Sequence, residues 1–353
     1  MNFQKFMKSQ KFMKFQKKII YSKNPNIKFP YILYIPVEME NNASLIIDLK
    51  TPKPMEGDIN DIINELLEQE VSYNAAVLMD YFKFPVIIPI IPRINGFYTS
   101  YLGSKIIKND LSELHSNIPE EVKDMFKDID KQLYYMIKEA NEILNLKSKA
   151  IINGYSASAK FATGFSVLHP DVISCNISGG TSGLSTLPIK KIGNIDLPYP
   201  IGVSDIDFDE ENFRDIKHFF YIGEEDNNNP ALPLCELSSE KDANGNPLPK
   251  RNFDGTIRYK LDVDGKLLPY YSECYSKEEI NIIYQLYNAN NIKRFKENEV
   301  LYKKLGIDSV HKIYPGNHAT LFRLNKMQLI KDMISIVTSV KQEELLNMKS
   351  NTR

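Results

Sequence analysis

Between Ala150 and Pro170 a short apolar run, a tight turn of small residues and a helical segment follow one another without a spacer. Ala150-Ile151-Ile152 reads as a buried strand, Gly154-Tyr155-Ser156-Ala157-Ser158 as the turn, and 159–168 as a helix stopped by Pro170. Residues 172–177 then resume the strand pattern and close at Gly179-Gly180. Strands that are apolar on both faces and alternate with helices need a sheet covered on both sides, which is the parallel α/β arrangement. The predicted class is therefore α/β, with a mostly parallel central sheet and helices on both faces.

The flanking sequence extends this pattern in both directions. Runs 31–37 and 44–49 are short and β-branched, and the polar loop between them predicts a hairpin. Helical periodicity follows at 59–67 and 74–81, and 85–91 reads as a buried strand interrupted by proline. A long helix is expected over 120–144, with Val122, Met125, Phe126, Ile129, Leu133, Met136 and Ile137 as its apolar stripe. After an irregular stretch, 218–222 is strand-like. Helices follow at 277–288, opened by a capping box of Ser276 and Glu279, and at 294–305. A last strand at 311–314 leads to a helix over 321–340.

Charge divides the chain unevenly. Its net charge is -1 over 353 residues, too balanced for a dedicated nucleic-acid binder. Residues 1–28 nevertheless carry eight lysines and no acidic side chain. This basic extension, with KFMK at 5–8 and again at 11–14, reads as a solvated arm, and weak contact with a membrane surface is the alternative. No apolar run reaches the roughly 18 residues needed to span a bilayer. The three cysteines, Cys175, Cys235 and Cys274, match no metal or redox spacing, so a cytoplasmic location with reduced thiols is expected. The expected organisation is an extension at 1–28, one domain at 29–340 with an inserted cap at 230–305, and a polar tail at 341–353.

The turn at Ser156 carries the chemistry. A strand-to-helix turn built from small residues lifts a hydroxyl clear of the sheet and aims the following N–H, that of Ala157, at an oxyanion. Such a nucleophile needs a base and an orienting acid at other strand ends. His115 precedes the turn, and His169 lies at the far end of its helix. His218 and His311 open strands, whereas His318 follows the C-terminal end of the last strand. His318 is the candidate base. For the acid, Asp226 follows a glycine turn after strand 218–222, with Glu224 and Glu225 as alternatives.

These pieces resemble the α/β-hydrolases of the esterase and lipase kind. The resemblance rests on Asp130-Lys131-Gln132-Leu133 in the helix before the turn and on Gly154–Ser158 with Leu168-His169-Pro170 and Gly179-Gly180. It is completed by Gly223–Asp226 and by Tyr314–His318. It implies an α/β-hydrolase fold with Ser156 as nucleophile, Asp226 as acid and His318 as base. The family's other oxyanion donor comes from the loop after the third strand. Here that loop reads Lys50-Thr51-Pro52-Lys53-Pro54, without glycine, and Thr51 is the candidate.

Tyr155 and the cap tyrosines Tyr270, Tyr271 and Tyr284 are candidate substrate contacts, and packing of a small cap is their alternative use. Lys160, one turn past the elbow, is expected to point to solvent. No phosphate loop, zinc spacing or dinucleotide fingerprint occurs, so no cofactor and no metal is expected. The expected activity is hydrolysis of a small carboxylic ester through an acyl-enzyme. A peptidase or amidase with the same residues, or a non-catalytic binding scaffold, are the alternatives.

Overall fold

Eight strands form one sheet in the computed structural model, which describes residues 14–52, 55–93, 119–228, 231, 235–241, 247–253, 258, 260–261, 275–287 and 290–350. In chain order the elements begin with β1 (Phe15–Ile20), β2 (Tyr31–Pro36), β3 (Ile46–Asp48), α1 (Ile59–Leu66), α2 (Tyr73–Phe82) and β4 (Val86–Pro89). Then come α3 (Glu120–Met125), α4 (Ile129–Leu144), β5 (Ala150–Tyr155), α5 (Ala157–Leu168), β6 (Ile173–Gly179) and α6 (Glu210–Arg214). The chain finishes with β7 (Lys217–Gly223), α7 (Lys277–Tyr287), α8 (Asn291–Lys304), β8 (Ser309–Tyr314) and α9 (Leu321–Ser350). Two short hairpins, 191–196 and 237–249, lie outside the main sheet.

The strand order is β1-β2-β4-β3-β5-β6-β7-β8, and only β2 runs against the rest. This is the order and polarity of the α/β-hydrolase fold. Because β5, β7 and β8 are parallel, the turns that leave their C-terminal ends share one edge of the sheet. Alternation along β6 fixes the two layers. Ser178 donates to the carbonyl of Ala159 in α5, whereas Cys175, of opposite parity, feels Glu344 of α9. Helix α4 joins α5 through Asp130, whose carboxylate lies 2.9 Å from His169 Nε2. Ile151, Ile152, Ile177 and Phe219 fill the centre at 1% exposure or less. Each such side chain contributes roughly 1.5–3 kcal/mol on burial.

Four expectations need correction. Residues 31–36 and 46–48 do not form a hairpin. β2 pairs with β1 and β4, and β3 lies between β4 and β5. The sheet starts inside the basic extension, because 15–20 pairs with β2 through register Phe15 to Pro36. The long helix is two helices, broken where Asp128 adopts a left-handed φ of 49°, a conformation that a short polar side chain tolerates. Beyond residue 340 the presumed tail continues α9 to Ser350.

One helix of the segment expected as a cap packs on the main sheet. Helix α8 lies inside 230–305, yet it is the crossover that carries the chain from β7 to β8. Phe295 and Tyr302 pack edge-on against His311, and Tyr302 donates to the carbonyl of Thr186. The capping box at the start of α7 forms as expected: Ser276 N–H donates to Glu279 Oε2 and Glu279 N–H to Ser276 Oγ.

His218 and His311 sit in this aromatic layer as neutral rings. Burial pushes His218 down to about 3, with His311 adding to the shift, and burial pushes His311 down to about 4. Both protonate near 6.5 once unfolded. From pH 6.5 downwards the unfolded chain therefore binds protons that the folded chain refuses, and stability falls as pH falls. The melting temperature should drop between pH 6.5 and 5, where most carboxylates are still ionised, and His311→Gln should flatten that slope. Equal melting temperatures for the wild type at pH 7 and pH 5 would contradict this.

Candidate active site

A single residue separates β5 from α5. Ser156 has φ 61° and ψ -123°, a sparsely populated conformation that costs of the order of 1–3 kcal/mol. Its neighbours enforce it. Ser156 N–H donates to the carbonyl of Gly179 at 2.8 Å, and its own carbonyl accepts from Ala159 and Lys160 at 3.1 and 3.2 Å. Strand and helix approach so closely that a Cβ on Gly154 would lie 2.4 Å from the carbonyl oxygen of Ser158. Gly154→Ala should therefore displace the turn, seen as lost activity with a lowered melting temperature.

The second small position, Ser158, does more than save space. Its Oγ accepts the Tyr155 N–H at 2.9 Å and lies 2.8 Å from the Tyr155 carbonyl, to which it donates. This staple closes the turn around Ser156. The sequence marks Ser158 as one of the small residues of the turn, and its hydroxyl is the signal for this further role.

The imidazole of His318 comes to the turn from the loop after β8. Nε2 lies 2.9 Å from Ser156 Oγ, and Nδ1 lies 2.8 Å from Asp226 Oδ2. The Asp226 side chain is fully shielded, and its other oxygen accepts the Asn228 N–H at 3.0 Å. A buried carboxylate beside Nδ1 assigns the proton to that nitrogen and leaves Nε2 as acceptor towards the serine hydroxyl. Glu224 and Glu225 are exposed. Their N–H groups are tied to the carbonyls of Tyr314 and Gly316, so the turn directs the third acidic side chain inwards.

Two close approaches make this meeting possible. A Cβ on Gly223 would lie 2.3 Å from the Gly316 carbonyl oxygen, so glycine lets the acid turn touch the histidine loop. Gly180 has φ 64°, and a Cβ there would come within 2.9 Å of His318 Cε1. Tyr155 packs on the imidazole with ring centroids 4.9 Å apart and donates its hydroxyl to the His318 carbonyl. Asn291 of α8 donates to the carbonyls of Asp226 and Asn228, at 3.0 Å each. Asn228 Nδ2 lies 3.1 Å from His318 Nε2. Neither asparagine was singled out in the sequence, where nothing marks an asparagine as facing a histidine 90 residues away.

A cavity of about 590 Å³ opens beside Ser156, with Thr51 and Tyr155 in its wall. Thr51 Oγ1 accepts the Ser158 N–H at 3.2 Å, which sets the loop after β3 against the start of α5. Tyr284 of α7 is not part of this wall. Tyr270, Tyr271 and His115 lie outside the described residues. Lys160 does not simply face solvent: its ammonium lies 3.2 Å from Tyr275 Oη and 4.5 Å from the centre of that ring. Among the described residues no group of His, Cys, Asp or Glu could hold a metal ion, and no helix is long and apolar enough to cross a membrane.

No protein-family model matches the chain, and no curated protein matches its sequence. Solved structures with similar folds include a poly(aspartic acid) hydrolase from a Sphingomonas species, at 12% identity and TM-score 0.46, covering 90% of this chain and 98% of the other. An acylaminoacyl peptidase of Pyrococcus horikoshii has 12% identity and TM-score 0.45, with 95% of this chain and 43% of that one covered. A ferulic acid esterase of the anaerobic fungus Anaeromyces mucronatus has 10% identity and TM-score 0.39, with 88% and 86% covered. The fold assignment stands on this chain's own strand order and turn geometry.

Proposed function

We propose that this chain is a serine hydrolase that cleaves carboxylic esters through an acyl-enzyme. The observation that carries the reading is the unbroken series Asp226 to His318 to Ser156, with contacts of 2.8 and 2.9 Å. In this reading His318 Nε2 takes the hydroxyl proton as Ser156 Oγ attacks the ester carbonyl carbon. The Asp226 carboxylate stabilises the imidazolium that results. The N–H of Ala157 donates to the oxyanion, and Thr51 borders it on the other side. The alkoxide then leaves with the proton from Nε2. Water, deprotonated by the same nitrogen, attacks the acyl-serine, and the carboxylic acid departs.

A fluorophosphonate probe tests this directly. The wild type should be labelled stoichiometrically at Ser156 and lose all esterase activity, and Ser156→Ala should take no label. Labelling at a different residue, or none, would overturn the reading. Matched p-nitrophenyl ester and p-nitroanilide substrates then measure ester against amide preference.

A further inference from the structure

We infer that the cavity beside Ser156 binds a substrate substituent bearing a negative charge, held by Arg323 and Lys326 at the start of α9. This rests on the hydrolase reading above and names the substrate class within it.

The argument begins with the charges around the cavity. Among the described residues, four charged side chains line it: Asp48, Lys50, Arg323 and Lys326. Asp48, at the end of β3, is fully buried and already satisfied. It accepts from Ser72 N–H and Ser72 Oγ at 2.7 Å each and from Asn153 Nδ2 at 3.3 Å, and it lies 3.2 Å from Lys50 Nζ. The Asp48 and Lys50 charges therefore offset each other. Two positive charges remain, and among the described residues no carboxylate on the cavity wall answers them.

Both cations stand on the helix that leaves the His318 loop. Arg323 and Lys326 are three residues apart on one helix, so they share a face, and that helix starts three residues after His318. Lys326 Nζ sits 3.7 Å from the centre of the Tyr73 ring, which also lines the cavity. An aromatic face holds an ammonium without neutralising it. Arg323 makes no ion pair or hydrogen bond among the described residues, and its guanidinium is exposed.

A second, independent feature points the same way. Tyr73 and Tyr221 both line the cavity, and their hydroxyls are buried with no hydrogen-bond partner among the described residues. Burial raises Tyr221 well above its ordinary value, so it remains a proton donor. Leaving a buried donor unsatisfied costs roughly 1–3 kcal/mol, a cost that a ligand acceptor relieves. Against these donors stands one open buried acceptor, Asn153 Oδ1, whose amide nitrogen is committed to Asp48. A carboxylate-bearing ester meets this environment better than a neutral one. The charge can lie on the acyl side or the alcohol side of the scissile bond, and both satisfy the same cations.

Two substrate pairs separate those sides. Mono-p-nitrophenyl glutarate against p-nitrophenyl pentanoate places the charge on the acyl group. p-Acetoxybenzoate against its methyl ester places it on the alcohol. The wild type should favour the charged member of one pair by about tenfold or more in kcat/KM. In the double variant Arg323→Ala/Lys326→Ala the ratio should approach one. Added salt should erode the preference in the wild type. Equal kcat/KM within both pairs overturns the inference, as does a preference that the double variant retains. A binding arm keeps this separate from turnover. Glutarate is titrated calorimetrically into Ser156→Ala with and without the two alanines. Tenfold weaker binding in their presence supports the inference even without hydrolysis, and unchanged or absent binding counts against it.

Discussion

Ser156→Ala should lower turnover of p-nitrophenyl acetate by about 10⁶-fold while the protein stays folded. The size of the loss follows from the position of Oγ, which is the only atom within 2.9 Å of His318 Nε2 that can attack a carbonyl carbon among the described contacts. The mutation removes one hydroxyl from a half-buried residue in a turn held by backbone bonds to Gly179, Ala159 and Lys160. Alanine keeps those bonds and leaves no cavity in the core. Steady-state kinetics with a thermal melt of the same preparation checks both halves. A folded variant with retained turnover would remove Ser156 from the chemistry.

Asp226→Asn should cost about 10⁴-fold in turnover. The amide presents an N–H where the carboxylate accepts, so it favours the imidazole tautomer with the proton on Nε2, which cannot accept from Ser156. The bonds made by the backbone of residue 226 itself, from its N–H to the Gly223 carbonyl and from Asn291 to its carbonyl, do not involve the side chain and survive the change. Glu224→Gln and Glu225→Gln should stay near wild-type activity because both side chains are exposed. If Glu224→Gln were inactive and Asp226→Asn active, the acid would have to be reassigned.

What could be read from the sequence follows from locality. The series strand, small-residue turn and helix from Ala150 to Leu168 lies within one stretch, where hydrophobic period and glycine placement speak for themselves. His318 could be selected because it alone follows the C-terminal end of a strand, a matter of order along the chain. Asp226 could be separated from Glu224 and Glu225 only in part. Which carboxylate turns inwards depends on hydrogen bonds from the N–H groups of the acid turn to the carbonyls of Tyr314 and Gly316, and these are long-range.

The misreadings have the same root. Strand β1 has no alternating apolar face, since five of its six residues are exposed, so periodicity could not reveal it. The packing of α8 is not legible locally because the helix is polar overall and buries itself through a few side chains, among them Phe295 and Tyr302. Nothing within 291–304 says that its partner is β8 rather than a lid over the site. The grouping of Asp48, Lys50, Arg323 and Lys326 around one cavity draws on positions nearly 280 residues apart, which no local pattern reports.

Strand β1 has a further consequence, for how copies of this chain behave in a crowded solution. Among the described residues it is the outermost strand, paired on one side, and an open strand edge is a template on which another chain can extend a sheet. With a net charge of -1, the molecule has almost no overall repulsion to keep copies apart. The defence is local. Lys17 and Lys18 stand exposed on the rim strand, and the Lys17 ammonium bonds to the Leu67 carbonyl. A second rim brought edge to edge would set these ammonium groups against their own copies and strip their water. Lys17 and Lys18, part of the segment whose sequence reads as a solvated arm or a membrane contact, thus oppose edge-to-edge growth of the sheet.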